Sequence, residues 1–177
     1  IVIGEGEETI KELLYALEGK KNIEEVKGIV YLKDGKIVRN QAREPITDFD
    51  KLPLPDFSLV RYAKIKVYPV ERIRGCGMNC EFCTVKGRPR PASVERLLES
   101  ISFLVETMGA RHFFIVDDLF GQQRNETIRF CRMLQNYQKH TRRLDLFVQI
   151  RLDKAKDSEL LIAMRQAGIN TVAIGFH

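Results

Sequence analysis

The sequence has no run of about 18 apolar residues, so nothing in it reads as a bilayer-spanning helix, and its opening Ile1-Val2-Ile3-Gly4-Glu5 turns acidic too soon for a signal peptide. Cysteine is scarce, four in 177 residues, and three of the four fall within eight positions. That excludes an extracellular disulfide framework, and in a reducing compartment such clustering points to metal. Internal repeats and low-complexity tracts are absent. What is present is 44% hydrophobic positions with 30% charged, a balance that excludes a disordered tail, a collagen-like fibre or a small stapled scaffold. The expectation is a soluble, globular, cytoplasmic chain with one real core. Because it opens and stops inside strand-like runs, it also reads as a segment of a longer protein.

Charge is unevenly distributed within the overall +5. Residues 61–90 carry eight basic residues against Glu71 and Glu81, whereas residues 1–25 carry seven glutamates against three lysines. The basic excess therefore surrounds the cysteines. Lys86-Gly87-Arg88-Pro89-Arg90-Pro91 lacks interleaved aromatics and contains two prolines, so it reads as a loop lending positive potential to an anionic group, not as a nucleic-acid surface. His112 and His140 show no second-ligand spacing and read as structural.

Along the chain, residues 1–20 read as strand, turn and helix, with Ile10, Leu13, Leu14 and Leu17 on one face of a helix over 9–17. The Gly4-x-Gly6 turn lacks the third glycine of a dinucleotide fingerprint, since Thr9 stands there, and its glutamates would repel a pyrophosphate. Gly28 to Leu32 and Ile37-Val38 flank Asp34-Gly35, a hairpin signal. Residues 43–58, with Pro45, Pro53 and Pro55, read as an extended linker. From about Lys66 strands and helices alternate: strand 67–73, a cysteine loop, helix 93–108, strand 113–116, helix 125 to about 139, strand 144–150, helix 158–167 and strand 171–174. Such alternation predicts an α/β fold with a parallel sheet, either a half barrel or an open doubly wound sheet, with ligands at the carboxyl ends of the strands.

The chemistry concentrates in Cys76-Gly77-Met78-Asn79-Cys80-Glu81-Phe82-Cys83, three thiols spaced C-x3-C-x2-C directly after a strand. Three thiolates in one loop can wrap a soft metal centre. A structural zinc site needs four closed ligands, for which Cys131 and His112 are candidates, and an electron-transfer iron-sulfur cluster also normally takes four cysteines. Three cysteines would leave one iron of a cubane cluster open to substrate.

This loop, with an aromatic residue before its third cysteine, resembles the signature of radical S-adenosylmethionine enzymes. The resemblance implies a 4Fe-4S cluster on Cys76, Cys80 and Cys83, with the amino and carboxylate groups of S-adenosylmethionine on the fourth iron. Cleavage of that molecule to methionine and a 5′-deoxyadenosyl radical follows, with Phe82 beside the adenine. Asp117 and Asp118, at the end of the second strand, match the Asp-Asp that the cobalamin-associated branch places near the amino end of S-adenosylmethionine; helix or turn capping is the other reading of Asp118. Gln149 and Arg151, at the end of the third strand, face the same site, where Arg151 could pair the methionine carboxylate. The fourth strand departs from the family pattern at His177: either a ribose-contacting acid is missing or His177 is a cloning scar.

Gly4 to Glu7, Gly28 to Tyr31 and Asp50 to Asp56 resemble the passage from a Rossmann-like cobalamin-binding domain into a radical barrel, although no Asp-x-His-x-x-Gly cobalamin-ligand pattern is present. The implied division is 1–20, the end of that Rossmann-like domain; 21–65, a hairpin and proline-rich linker; and 66–177, the first part of a TIM-like (β/α) barrel. The implied cofactors are a 4Fe-4S cluster, S-adenosylmethionine and, in the parent protein, cobalamin. The implied partners are a small-molecule substrate and a reductant such as flavodoxin or ferredoxin, with no nucleic acid. The implied reaction is methyl transfer or an oxidative cyclisation like that of magnesium protoporphyrin ester. A methylthiotransferase, and a non-enzymatic iron-sulfur or zinc module closed by Cys131, are the alternatives.

Overall fold

A computed structural model describes residues 1–78, 80–85 and 87–175; the position of His177 lies outside them. The chain forms two compact units, Ile1–Asp48 and Phe49–His177. In the first, helix α1 (Glu7–Leu17) precedes a hairpin of β1 (Val30–Lys33) and β2 (Lys36–Arg39). Asp34 and Gly35 take φ of 50° and 74°, the left-handed pair of a type I′ turn, whose twist suits the paired strands. The strand expected at Ile1-Val2-Ile3 is reduced to one antiparallel bridge, Val2 to Ile29. The apolar stripe of α1 also departs from expectation, because Ile10, Leu14 and Leu17 are exposed. The helix is tied down instead through buried Thr9, whose hydroxyl accepts from Arg43 Nε at 2.8 Å, while the same guanidinium pairs with Glu12 at 2.8 Å.

The second unit begins with less extended chain than the prolines imply. Phe49–Lys51 and Phe57–Leu59 form short 3-10 turns, and Phe57 packs edge-on against Tyr68 with ring centroids 5.5 Å apart. The single strand expected over 67–73 breaks at Glu71-Arg72 into β3 (Tyr68–Val70) and β4 (Ile73–Arg74). After the cysteine loop come β5 (Arg90–Pro91), α2 (Val94–Met108), β6 (His112–Ile115), α3 (Arg124–His140), β7 (Asp145–Ile150), α4 (Ser158–Gln166) and β8 (Ile169–Ile174).

Strands β3, β6, β7 and β8 lie side by side in that order, all parallel. Each new strand adds at the same edge, and α2, α3 and α4 pack on one another in a single layer. The strand order is sequential, the order in which a (β/α) barrel is also wound, and it does not reverse as a doubly wound sheet would. Along β6 and β7 the side chains alternate with the strand period. Phe113, Ile115, Leu146, Val148 and Ile150 are buried against the helices, and Phe114 and Phe147 stack 4.6 Å apart on the opposite, inner face.

Helix α2 forms where its capping signals place it. Ser93 Oγ accepts from Arg96 N–H at 3.1 Å, Gly109 ends the helix, and Val94, Leu97, Ile101, Leu104 and Val105 make the buried stripe. At the amino ends of β7 and β8, the Gln138 amide bridges two loops, accepting from Leu144 N–H at 2.8 Å and donating to Ala167 O at 2.9 Å. Beside it Gly168 sits at φ +84°, and a Cβ there would lie 2.4 Å from Leu144 O, so only glycine fits.

Candidate cofactor site

The cysteine loop is a closed excursion clamped at both ends. β4 pairs antiparallel with β5, Ile73 opposite Pro91 and Arg74 opposite Arg90, and Ala92 N–H donates to Arg72 O at 2.7 Å. The guanidinium groups of Arg74 and Arg90 lie over the Phe49 ring, 4.7 and 5.3 Å from its centroid. Gly75, at φ +88°, marks the tightest point: a Cβ there would meet Arg88 O at 2.8 Å, so the outgoing and returning strands of the loop touch at a residue that must lack a side chain.

The carboxyl end of β6 grips the root of this loop. Asp117 is buried, and its Oδ1 accepts from Arg72 N–H at 2.7 Å and Ile73 N–H at 2.9 Å. Its Oδ2 is buried with no hydrogen-bond partner among the described residues. Desolvation lifts this carboxyl from the usual range to about 6, against the pull of those two amides and of the Arg72 charge. Burial likewise pulls the Arg72 guanidinium below its ordinary value, with the neighbouring Asp117 charge opposing. Asp118 Oδ2 accepts from Gly75 N–H at 2.7 Å, and Gln122 Nε2 donates to Cys76 O at 2.7 Å. Leu119 and Phe120 between them are buried, and Phe120 N–H donates to Gln149 O at 3.0 Å, which fixes the segment to β7.

The eight residues that the resemblance implies as cluster or cofactor contacts line one cavity of about 730 Å³ at the carboxyl ends of the strands: Cys76, Cys80, Phe82, Cys83, Asp117, Asp118, Gln149 and Arg151. Phe114, Val116 and Leu119 complete its apolar wall and Met78 its rim. Arg151 reaches across the mouth, donating through Nη1 to Met78 Sδ at 3.0 Å and through Nε to Asp153 at 3.1 Å. Val85 N–H donates to Cys83 Sγ at 3.4 Å. Sequence reasoning missed Arg72, Gln122, Met78 and Phe114. Of these only Phe114 had a signal, as the inward position of a strand whose neighbours point outward.

Cys131 stands apart from the other three thiols. It is packed in the core on α3, and burial pushes its thiol up to about 12, so it is neither at the cavity nor readily ionised. Among the described residues no three Cys, His, Asp or Glu side chains, the three loop thiols included, are gathered closely enough to hold one metal ion. No helix is long and apolar enough to cross a membrane, among the described residues.

The fold is that of the radical S-adenosylmethionine enzymes. The chain superposes with a TM-score of 0.76 at 18% identity on the radical S-adenosylmethionine methyltransferase TsrM from Kitasatospora setae, covering 98% of this chain and 36% of that one. It matches the cobalamin-dependent S-adenosylmethionine radical enzyme OxsB with a TM-score of 0.74 at 23% identity, covering 98% and 27%. In sequence it is 33% identical to an uncharacterized methyltransferase of Pyrococcus horikoshii over 72% of this chain and 30% of the relative. It is 28% identical to the anaerobic magnesium-protoporphyrin IX monomethyl ester cyclase of Rubrivivax gelatinosus over 99% of this chain and 34% of the relative. No family model matches the chain. The chain thus shares the fold of these radical S-adenosylmethionine enzymes and is similar in sequence to part of a methyltransferase and of a cyclase; it spans about a third of the length of these curated relatives.

Proposed function

We propose that this chain carries the cofactor-binding part of a radical S-adenosylmethionine enzyme that performs methyl transfer or oxidative cyclisation with cobalamin. The observation that carries the reading is the convergence of three thiols, two aspartates and the Gln149–Arg151 strand end on one cavity. The donor set fits the implied cluster: three soft thiolates on one loop, a fourth cysteine buried elsewhere, and a basic surround for an anionic group. When bound and reduced, a 4Fe-4S cluster supplies the electron that cleaves S-adenosylmethionine to methionine and a 5′-deoxyadenosyl radical.

In this reading Cys76, Cys80 and Cys83 hold the cluster, and exposed Phe82 offers its ring to the adenine. Asp117, with one oxygen unpartnered, presents a carboxylate to the ammonium of S-adenosylmethionine, and Arg151 pairs its carboxylate. Gln149 lines the same cavity, and Phe114, stacked on Phe147, contributes to its apolar wall. Residues 1–20 and 21–65 serve as the end of a cobalamin domain and its linker, 66–177 as the barrel portion, and the whole works in the cytoplasm with a flavodoxin- or ferredoxin-type reductant. The likeness to the cyclase and methyltransferase supports either reaction on a small molecule.

The test is anaerobic reconstitution with iron and sulfide, followed by electron paramagnetic resonance of the reduced protein with and without S-adenosylmethionine. A 4Fe-4S signal that changes on adding S-adenosylmethionine is the expected result. A closed cluster indifferent to it, or none at all, refutes the reading.

A further inference from the structure

Three side chains from one short segment after β6 hold four of the five positions from Arg72 to Cys76 at the root of the cysteine loop. Asp117 takes the amides of Arg72 and Ile73, Asp118 takes that of Gly75, and Gln122 takes the carbonyl of Cys76. The last two contacts bracket the first cysteine. Gly75 is buried, so its N–H has no recourse to bulk water if Asp118 is removed. The Gln122 Oε1 is itself buried with no partner among the described residues, so the bond to Cys76 is what orients its amide.

From this geometry we propose that Asp118 and Gln122 are positioning residues that set the backbone on either side of Cys76 before iron arrives, so that the loop is half built in the metal-free protein. The inference rests on the cluster reading above. It gives Asp118 a task other than meeting S-adenosylmethionine, because the oxygen in use is turned to the backbone. Groups that orient ligands in this way typically govern metal affinity by about 10- to 100-fold.

The experiment is anaerobic titration of the chain with iron(II) and sulfide in competition with a chelator, read by bound iron and sulfide, visible absorbance and electron paramagnetic resonance. Asp118→Ala and Gln122→Ala should each need about tenfold more free iron for half-loading than the starting protein. Asp118→Asn, which keeps an oxygen for the Gly75 amide, should load close to the starting protein. Thermal melts separate folding from loading: a purely structural role lowers the melting temperature and leaves loading of the folded protein unchanged. Should Asp118→Ala not fold, Gln122→Ala carries the test, since its side chain is only half-buried. Alanine variants that load at the same iron concentration overturn this inference alone. A starting protein that assembles no cluster overturns the cluster reading and this inference with it.

Discussion

The replacement Asp117→Asn puts the buried carboxyl to a quantitative test. The raised value of about 6, against an ordinary 3.8, is a shift of about two units, or about 3 kcal/mol at ~1.4 kcal/mol per unit. The sign follows from proton counting. Below pH 4 the folded and unfolded chains both hold the proton. Between 4 and 6 the folded chain keeps a proton the unfolded chain has lost, so stability falls as pH rises, at a slope approaching about 1.4 kcal/mol per pH unit. Above 6 both are ionised and the full penalty of about 3 kcal/mol persists. Asparagine keeps an oxygen for the Arg72 and Ile73 amides but cannot ionise, and its NH₂ falls where Oδ2 has no partner, at a cost of about 1–3 kcal/mol. The variant should therefore be clearly less stable than the parent at pH 4.5 and close to it at pH 7.5. Of that penalty about 1 kcal/mol already applies at pH 4.5, so with a urea slope of about 2 kcal/mol per molar the midpoint difference between parent and variant should change by about 1 M across that range. Urea unfolding followed by circular dichroism measures it. A parent-to-variant difference that is the same at both pH values refutes the claim that burial raises this carboxyl above its ordinary range.

Gly168→Ala should cost at least about 2 kcal/mol, since a left-handed backbone is strained by any side chain and the new Cβ would strike Leu144 O; a thermal melt lowered by several degrees checks it. Ser93→Ala removes the N-cap of α2 and should cost about 1 kcal/mol in urea unfolding, with unchanged iron loading. Cys131→Ala should leave bound iron unchanged. In the native metal-free chain at pH 8 the Cys131 thiol should resist alkylation that consumes the three loop cysteines, and equal labelling of all four would show that its burial is not maintained.

Much of this arrangement was legible because local rules and global fold agree. Ser93 and Gly109 mark α2, the alternation after Lys66 gives the parallel sheet, and the cysteine spacing marks the cavity. Where sequence and structure part, a tertiary contact decided the outcome. The run over 67–73 looks like one strand, but the Asp117 carboxylate takes the amides of Arg72 and Ile73 from 44 and 45 residues away, so the sheet ends at Val70 and the chain turns to meet β5. The helical stripe Ile10, Leu14, Leu17 reads as a core face, yet what the helix buries is Thr9, held by a guanidinium 34 residues on. Gln122 carries no sequence signal at all, since a glutamine after a strand looks like any surface amide until the loop it holds is seen.

The Gln138 bracket lies at the amino ends of the strands, opposite the cavity. An amide spanning two loops there, beside a glycine that admits no replacement, concentrates local rigidity at the pole that has no chemistry to perform. The far pole, whose cavity Phe114, Gln149 and Arg151 line, is therefore separate from the fastening that keeps α3, β7 and β8 in register. A change of side chain at the cavity thus need not disturb the bracket, and a loss of the bracket would loosen the strands from the end that the cavity does not reach.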